Sequence, residues 1–147
     1  RIARAISEER KLKPIVTTVH LANVVKAAHP RWERHKHPAT QTFQAIRIRI
    51  NNELEDLKLG LEQSLDVLKI GGRLLVISFH SLEDRIVKRF IRKQAHAAVE
   101  LKKLPVIPVE WRPRLKSLGR GIKADAYAIK VNPRSRSAVL RIAEKIL

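Results

Sequence analysis

The chain has no cysteine, which excludes disulfides and thiolate metal sites and gives no sign of its redox compartment. No uninterrupted apolar stretch approaches the roughly 20 residues that a bilayer-spanning helix needs, and no signal-peptide pattern is visible at the start. A basic amphipathic helix over 82–98 would carry no Trp or Tyr anchor, which argues against a membrane-surface role. A soluble, cytoplasmic protein without a membrane partner is expected. No internal repeat is evident. A GxGxG loop is also missing: the pair Gly71-Gly72 precedes an apolar run, the reverse of the strand, glycine, helix order that a phosphate or cofactor loop requires. Taken alone, the residues show no cofactor site. His35 and His37 lie close together but without an acidic or thiolate partner, so a metal site is not expected.

What is abundant is positive charge. The 147 residues include 31 Lys and Arg against 14 Asp and Glu, a net charge of +17, which points to a polyanionic partner. The excess sits in two flanks: eleven basic and three acidic residues over 1–50, eight of each over 51–100, and twelve against three over 101–147. The neutral middle reads as scaffold. The flanks read either as contact surface or as a solvated face. The length allows one real core, yet the opening RIARAISEER looks like the middle of an amphipathic helix with no cap before it, so a piece of a longer protein is expected.

A first helix is expected to end at Pro14, and Thr17 or Thr18 to cap a second whose apolar stripe is Leu21, Val24, Val25 and Ala28. In HPATQTFQAIRIRINNELEDL, 37–57, the run IRIRI alternates like a strand. However, Phe43, Ile46, Ile50, Leu54, Leu57 and Leu61 keep a helical period over a longer window, predicting helix with those first three facing a core. The helix continues past Asn51-Asn52 or restarts there, with Glu53, Glu55 and Asp56 in its first turns. After Gly71-Gly72, RLLVISF predicts a strand buried on both faces in a parallel sheet. Ser81 then caps a helix whose stripe is Leu82, Ile86, Phe90 and Ile91. Residues 99–126 predict an irregular basic segment around one short edge strand, NPRSR a turn, and 137–146 a last strand or a terminal helix. The order of elements belongs to a Rossmann-like α/β sheet.

Two stretches can carry chemistry. SFHSLEDR, 78–85, follows the carboxyl end of the expected strand, where open α/β sheets hold ligands. His80 and Ser81 can bond a base or a phosphate there, with Glu83, Asp84 and Arg85 orienting polar groups; the plainer reading is a helix cap with its first-turn acids. In HPATQTFQAIRIR, Thr40, Gln41, Thr42 and Gln44 can hydrogen-bond to base edges or sugar while His37, Arg47 and Arg49 meet phosphate, and of these Thr40, Gln44 and Arg47 can share one helical face. Here the plainer reading is the polar outer face of a helix start. Trp32 and Trp111 read as packing anchors rather than stacking platforms.

HPATQTFQAIRIRINNEL, LKIGGRLLVISFHSLEDRIVKRF and NPRSRSAVLRIAEK, in that order, closely resemble the carboxyl-terminal half of the bacterial 16S ribosomal RNA cytosine-N4 methyltransferase family. The resemblance covers nearly the whole chain and is weakest over 94–125. It implies the second half of a class I Rossmann-like, S-adenosylmethionine-dependent methyltransferase fold, preceded by part of an inserted helical domain. Residues 1–37 would then be the later part of that substrate-recognition domain, and 38–147 the carboxyl-terminal part of the catalytic domain. It further implies methylation of a cytosine in the decoding centre, with His80 and Ser81 as catalytic candidates. RNA contacts would come from His37, Thr40, Gln44, Arg47, Arg49, Arg85, Arg134 and Arg136. The S-adenosyl-L-methionine site would lie in the missing amino-terminal half. The implied partners are 16S ribosomal RNA in the small ribosomal subunit, the protein's own amino-terminal half, and a second copy in a homodimer. A non-catalytic basic RNA-binding module is the alternative.

Overall fold

The computed structural model describes residues 1–29, 37–96, 108 and 112–147; Trp32, His35 and Trp111 fall outside them. Two compact units emerge, Arg1–Glu53 and Leu54–Leu147. No described helix is long and apolar enough to cross a membrane.

The first unit holds α1 (Ile2–Leu12), α2 (Thr18–Ala28) and α3 (Thr40–Ile50). Thr17 caps α2, its side chain accepting from His20 N at 3.1 Å, which satisfies one orphan donor of the first turn. His20 Nε2 in turn lies 2.8 Å from Glu9 Oε1 and ties α2 to α1. Val25 is fully buried, with Leu21, Val24 and Ala28 half-buried around it. α3 begins after a turn at Pro38, where His37 Nδ1 accepts from Ala39 N at 3.2 Å and His37 O from Thr40 N. The helical reading of IRIRI is correct, but the expected core face is not: Ile46 is 36% and Ile50 76% exposed. A helical apolar row is buried only where another element covers it. Asn51 ends α3, and Asn52 at φ 54 breaks the helix in the left-handed region that Asn tolerates.

The second unit is a mixed α/β layer. Its elements are α4 (Glu53–Val67, entering from the first unit by one residue), β1 (Arg73–Ser78), α5 (Ser81–Ala95), β2 (Leu115–Ser117), β3 (Ile122–Lys123), α6 (Ala126–Val131), a 3-10 turn (Pro133–Ser137) and β4 (Val139–Lys145). β4 is the hub: β1 pairs with one edge, β2 and β3 with the other, all antiparallel to it. The parallel, doubly buried strand expected at 73–79 is therefore corrected. Among the described residues β1 pairs only with β4, and its exposure alternates, with Leu75 and Ile77 more than half exposed. Leu74 and Val76, on the other face, pack on a core of Leu61 and Leu65 from α4, Val87 and Ile91 from α5, Leu115 and Ala143. The i, i+4 pairs on both helices meet this face. Leu82, expected in the α5 stripe, is 41% exposed; Val87 takes the buried place instead.

Two short edge strands stand where one was expected, and 139–145 resolves as strand rather than helix. Asp125 caps α6 by accepting from Ala128 N at 2.7 Å, a helix that begins where the segment read as irregular ends and that the sequence reading did not expect. Before β1, Gly71 sits at φ 80, and a Cβ on Gly72 would lie 2.8 Å from Lys69 O; this tight turn needs both glycines. Lys145 Nζ donates to Leu65 O and Leu68 O at 2.6 and 2.8 Å, satisfying carbonyls that the end of α4 leaves open.

Across the layer, Arg141 of β4 donates to both carboxylate oxygens of Asp84 on α5, at 2.7 and 3.0 Å. The Arg141 hydrogen bonds hold the Asp84 carboxyl below its ordinary 3.8, with the charges of Arg141 and Lys88 adding to the effect and burial opposing it. A lowered folded pKa means that the pair's stabilisation is present above the unfolded value and is lost as pH falls through the folded one. In the full-length protein, Asp84→Asn is expected to cost about 1.5–3 kcal/mol at neutral pH. Urea unfolding between pH 7 and 2.5 should show the gap between variant and parent narrowing below about pH 4. A constant gap across that range would contradict the assignment.

Candidate functional site

Residues 79–80, between β1 and α5, are held by one carboxylate. Glu83 Oε2 accepts from Phe79 N at 2.9 Å and His80 N at 3.3 Å, while Glu83 N donates back to His80 Nδ1 at 3.4 Å. This is a reciprocal capping box with His80 in the N-cap place. The expectation that Ser81 caps the helix is corrected: Ser81 is already the first helical residue, and its exposed side chain is left to solvent or ligand. The sequence signal was misread by one position, because His can accept through a ring nitrogen as Ser does through its hydroxyl.

The cap has a chemical consequence. With Nδ1 accepting, the neutral His80 ring carries its proton on Nε2. That atom is buried and has no hydrogen-bond partner among the described residues. It lies 3.1 Å from Glu83 Oε1, an ion-pair distance without hydrogen-bond alignment. The ring therefore holds a buried donor beside Glu83 Oε1 with no aligned hydrogen bond among the described residues.

A cavity of about 460 Å³ opens at this turn. His80, Ser81 and Asp84 line one side, Lys123 of β3 another, and Arg136 with Ser137 and Val139 the rest. Asp84 is occupied by Arg141, so Lys123 and Arg136 set the local charge as positive. The cavity thus unites residues from SFHSLEDR and NPRSRS, and of the sequence candidates it gathers His80, Ser81 and Arg136. Lys123 was missed; it lay in the segment read as irregular, and nothing in its neighbours marks it. Arg141 left a signal, since an Arg between Val139 and Ala143 on a strand's inner face calls for an acid.

The other candidates stand elsewhere. Arg85 and Arg134 are exposed and do not line the cavity. His37, Thr40, Gln44, Arg47 and Arg49 belong to the first unit. There Thr40 and Arg49 are exposed and Gln44 is half-buried. His37 is engaged by Ala39 N, and Arg47 meets Glu53 through Nε at 2.9 Å and a second nitrogen at 3.0 Å.

The described residues do not fit S-adenosylmethionine. The strand-to-helix turn that would cradle it has no glycine, and its amides Phe79 N and His80 N already donate to Glu83. The amides of the glycine pair are also taken, Gly71 N by Lys145 O and Gly72 N by Lys69 O.

Comparison with known proteins adds ancestry to this geometry. The chain is 57% identical over 146 residues to the ribosomal RNA small subunit methyltransferase H of Legionella pneumophila strain Paris, and equally to that of strain Philadelphia 1. The protein of strain Corby is 56% identical over the same length. In each case the match takes in 99% of this chain and 47% of the relative, so the chain spans about half the length of the curated relatives it matches. The profile of the MraW methylase family matches residues 1–146, and the chain belongs to that family.

Proposed function

We propose that these residues are the carboxyl-terminal part of an enzyme that methylates N4 of a cytosine in the decoding centre of 16S ribosomal RNA, using S-adenosylmethionine. The observation that carries the reading is the convergence of two family motifs on one cationic cavity at the carboxyl end of β1. A basic cavity suits a nucleic-acid substrate, and the cytosine amine, its lone pair delocalised into the ring, depends on precise orientation to react. In this reading the His80 Nε2 donor bonds an acceptor of the flipped base or its phosphate, and Ser81 assists. Lys123 and Arg136 hold phosphate. Arg85, Arg134, His37, Thr40, Gln44, Arg47 and Arg49 extend the RNA contact, Arg47 by exchanging Glu53 for phosphate.

The finer fold assignment belongs to the same proposal: the second half of a class I methyltransferase sheet over 38–147, preceded over 1–37 by the later part of an inserted helical domain. Supporting it, Leu75, Ile77 and Ile122 leave one sheet face apolar and more than half exposed, and the outer edge of β1 has no partner among the described residues. An uncovered apolar face and a free edge both call for cover, and the relatives have about twice this length with which to supply it. The cofactor, in this reading, binds in that other half. The partners are the small ribosomal subunit, the amino-terminal half and a second copy, in the cytoplasm and away from membranes.

The test is methyl transfer by the full-length protein to small-subunit RNA, read as N4-methylcytidine by mass spectrometry of the nucleosides. RNA binding with no such product would leave the non-catalytic binding module. A sharper prediction concerns His80. Asn caps helices as well as Ser or Asp but lacks Nε2, so His80→Asn should keep the melting temperature while lowering single-turnover methylation at least about tenfold, some 1.4 kcal/mol of transition-state stabilisation. An unchanged rate would confine His80 to capping. Ser81→Ala, with no cap to lose, should leave stability within about 0.5 kcal/mol of the parent.

A further inference from the structure

The second cavity of the α/β unit lies along the carboxyl-terminal half of α5. Ser117 pairs with Ala143 and Ile122 with Leu140, so residues 118–121 stand opposite Arg141 and Ile142 alone. The surplus residues bulge from the edge, as extra residues in one strand of a pair must. Gly119 takes the bend at φ 80. Gly121 lies against β4 so closely that a Cβ would stand 2.9 Å from a Val139 methyl. Between this bulge and α5 is a groove of about 450 Å³.

Its charges have one sign. Lys88 and Arg92, one helical turn apart on α5, face Arg120 of the bulge, and Arg141 lies between them with its charge matched by Asp84. No carboxylate lines the groove; Lys88 is already drawn to Asp84 one turn away, and among the described residues no carboxylate is paired with Arg92 or Arg120. Ala95 and the edge of the buried Ile91 give it a small apolar lining on the α5 side. Cations around a narrow, partly apolar trough match a sugar-phosphate chain: phosphates at the rim, a sugar or base edge below. A membrane surface is matched less well, because the apolar face of α5 is buried through Val87 and Ile91 and is not free to enter lipid.

We infer that this groove is a second RNA seat, binding phosphodiesters of the same strand whose cytosine enters the His80 cavity. It rests on the reading of the protein as an RNA methyltransferase. Arg92 and Arg120 are its two main phosphate ligands, and both cavities flank the Asp84–Arg141 pair, so a strand held at one is aligned for the other.

The experiment measures binding of a decoding-centre RNA hairpin by the full-length protein from 50 to 300 mM salt, comparing the parent with Arg92→Gln plus Arg120→Gln. Each phosphate contact on a single strand adds about 0.7 to the salt slope. The double variant should therefore lose about 1.4 of slope and bind roughly 25-fold more weakly at 0.1 M salt. Arg92→Gln alone should lose half that slope, which keeps the test alive if the double variant is unstable. Arg92→Lys, which keeps the charge, should restore most of the slope. An unchanged slope in the Gln variants overturns the proposal. So does binding to phosphatidylserine vesicles that the same variants abolish, an outcome that would make the groove a membrane contact. Binding is read apart from methylation, so a parent protein that binds RNA without methylating it would sink the proposed activity while the slopes still decide the groove.

Discussion

The bidentate contact between Arg141 and Asp84 organises the second unit. It joins the central strand to the helix packed over it, and both side chains are about four-fifths buried. An arginine on the inner face of β4 without its acid would be a largely buried charge with no counter-ion, which is destabilising. The pair also divides the cationic surface. Asp84 belongs to the cavity at the amino-terminal end of α5 and Arg141 to the groove at the other end, and because each neutralises the other, the free charge of both hollows comes from Lys88, Arg92, Lys123, Arg120 and Arg136.

Glu83 has a similar economy at the strand-to-helix turn. Its carboxylate takes the two amides that an anion would otherwise find at the start of α5, so this helix end is closed to a phosphate of the kind that helix amino termini often bind. The anion-binding capacity passes instead to side chains. The same cap fixes the His80 tautomer and leaves its Nε2 proton, buried beside Glu83 Oε1, without an aligned hydrogen bond, which makes the capping residue a candidate for contact with substrate. Structure and chemistry at this turn are one arrangement, which is why His80→Asn separates them better than His80→Ala would.

Much of the architecture was legible because it is local. Pro14, Thr17, the Asn51-Asn52 break and the Gly71-Gly72 turn each act on their immediate neighbours, and each stands where the pattern put it. The family, too, was legible in three ordered motifs. The misreadings share a cause. Ile50 satisfies a helical period, Leu82 opens an amphipathic stripe, and RLLVISF has the composition of a doubly buried strand. Periodicity says which residues share a face and leaves open whether anything covers that face.

By itself the sequence determined the five longer helices, the position of β1, the two basic flanks and the family, since these follow from spacing, capping chemistry and composition over short windows. Only the tertiary structure decided that β4 lies between β1 and the bulged edge, that Arg141 finds Asp84, that Lys123 and Arg136 meet His80 in one cavity, and that His80 rather than Ser81 caps α5. Strand pairing and ion pairing join residues far apart in the chain, and the choice among alternative partners is made by packing the whole layer at once.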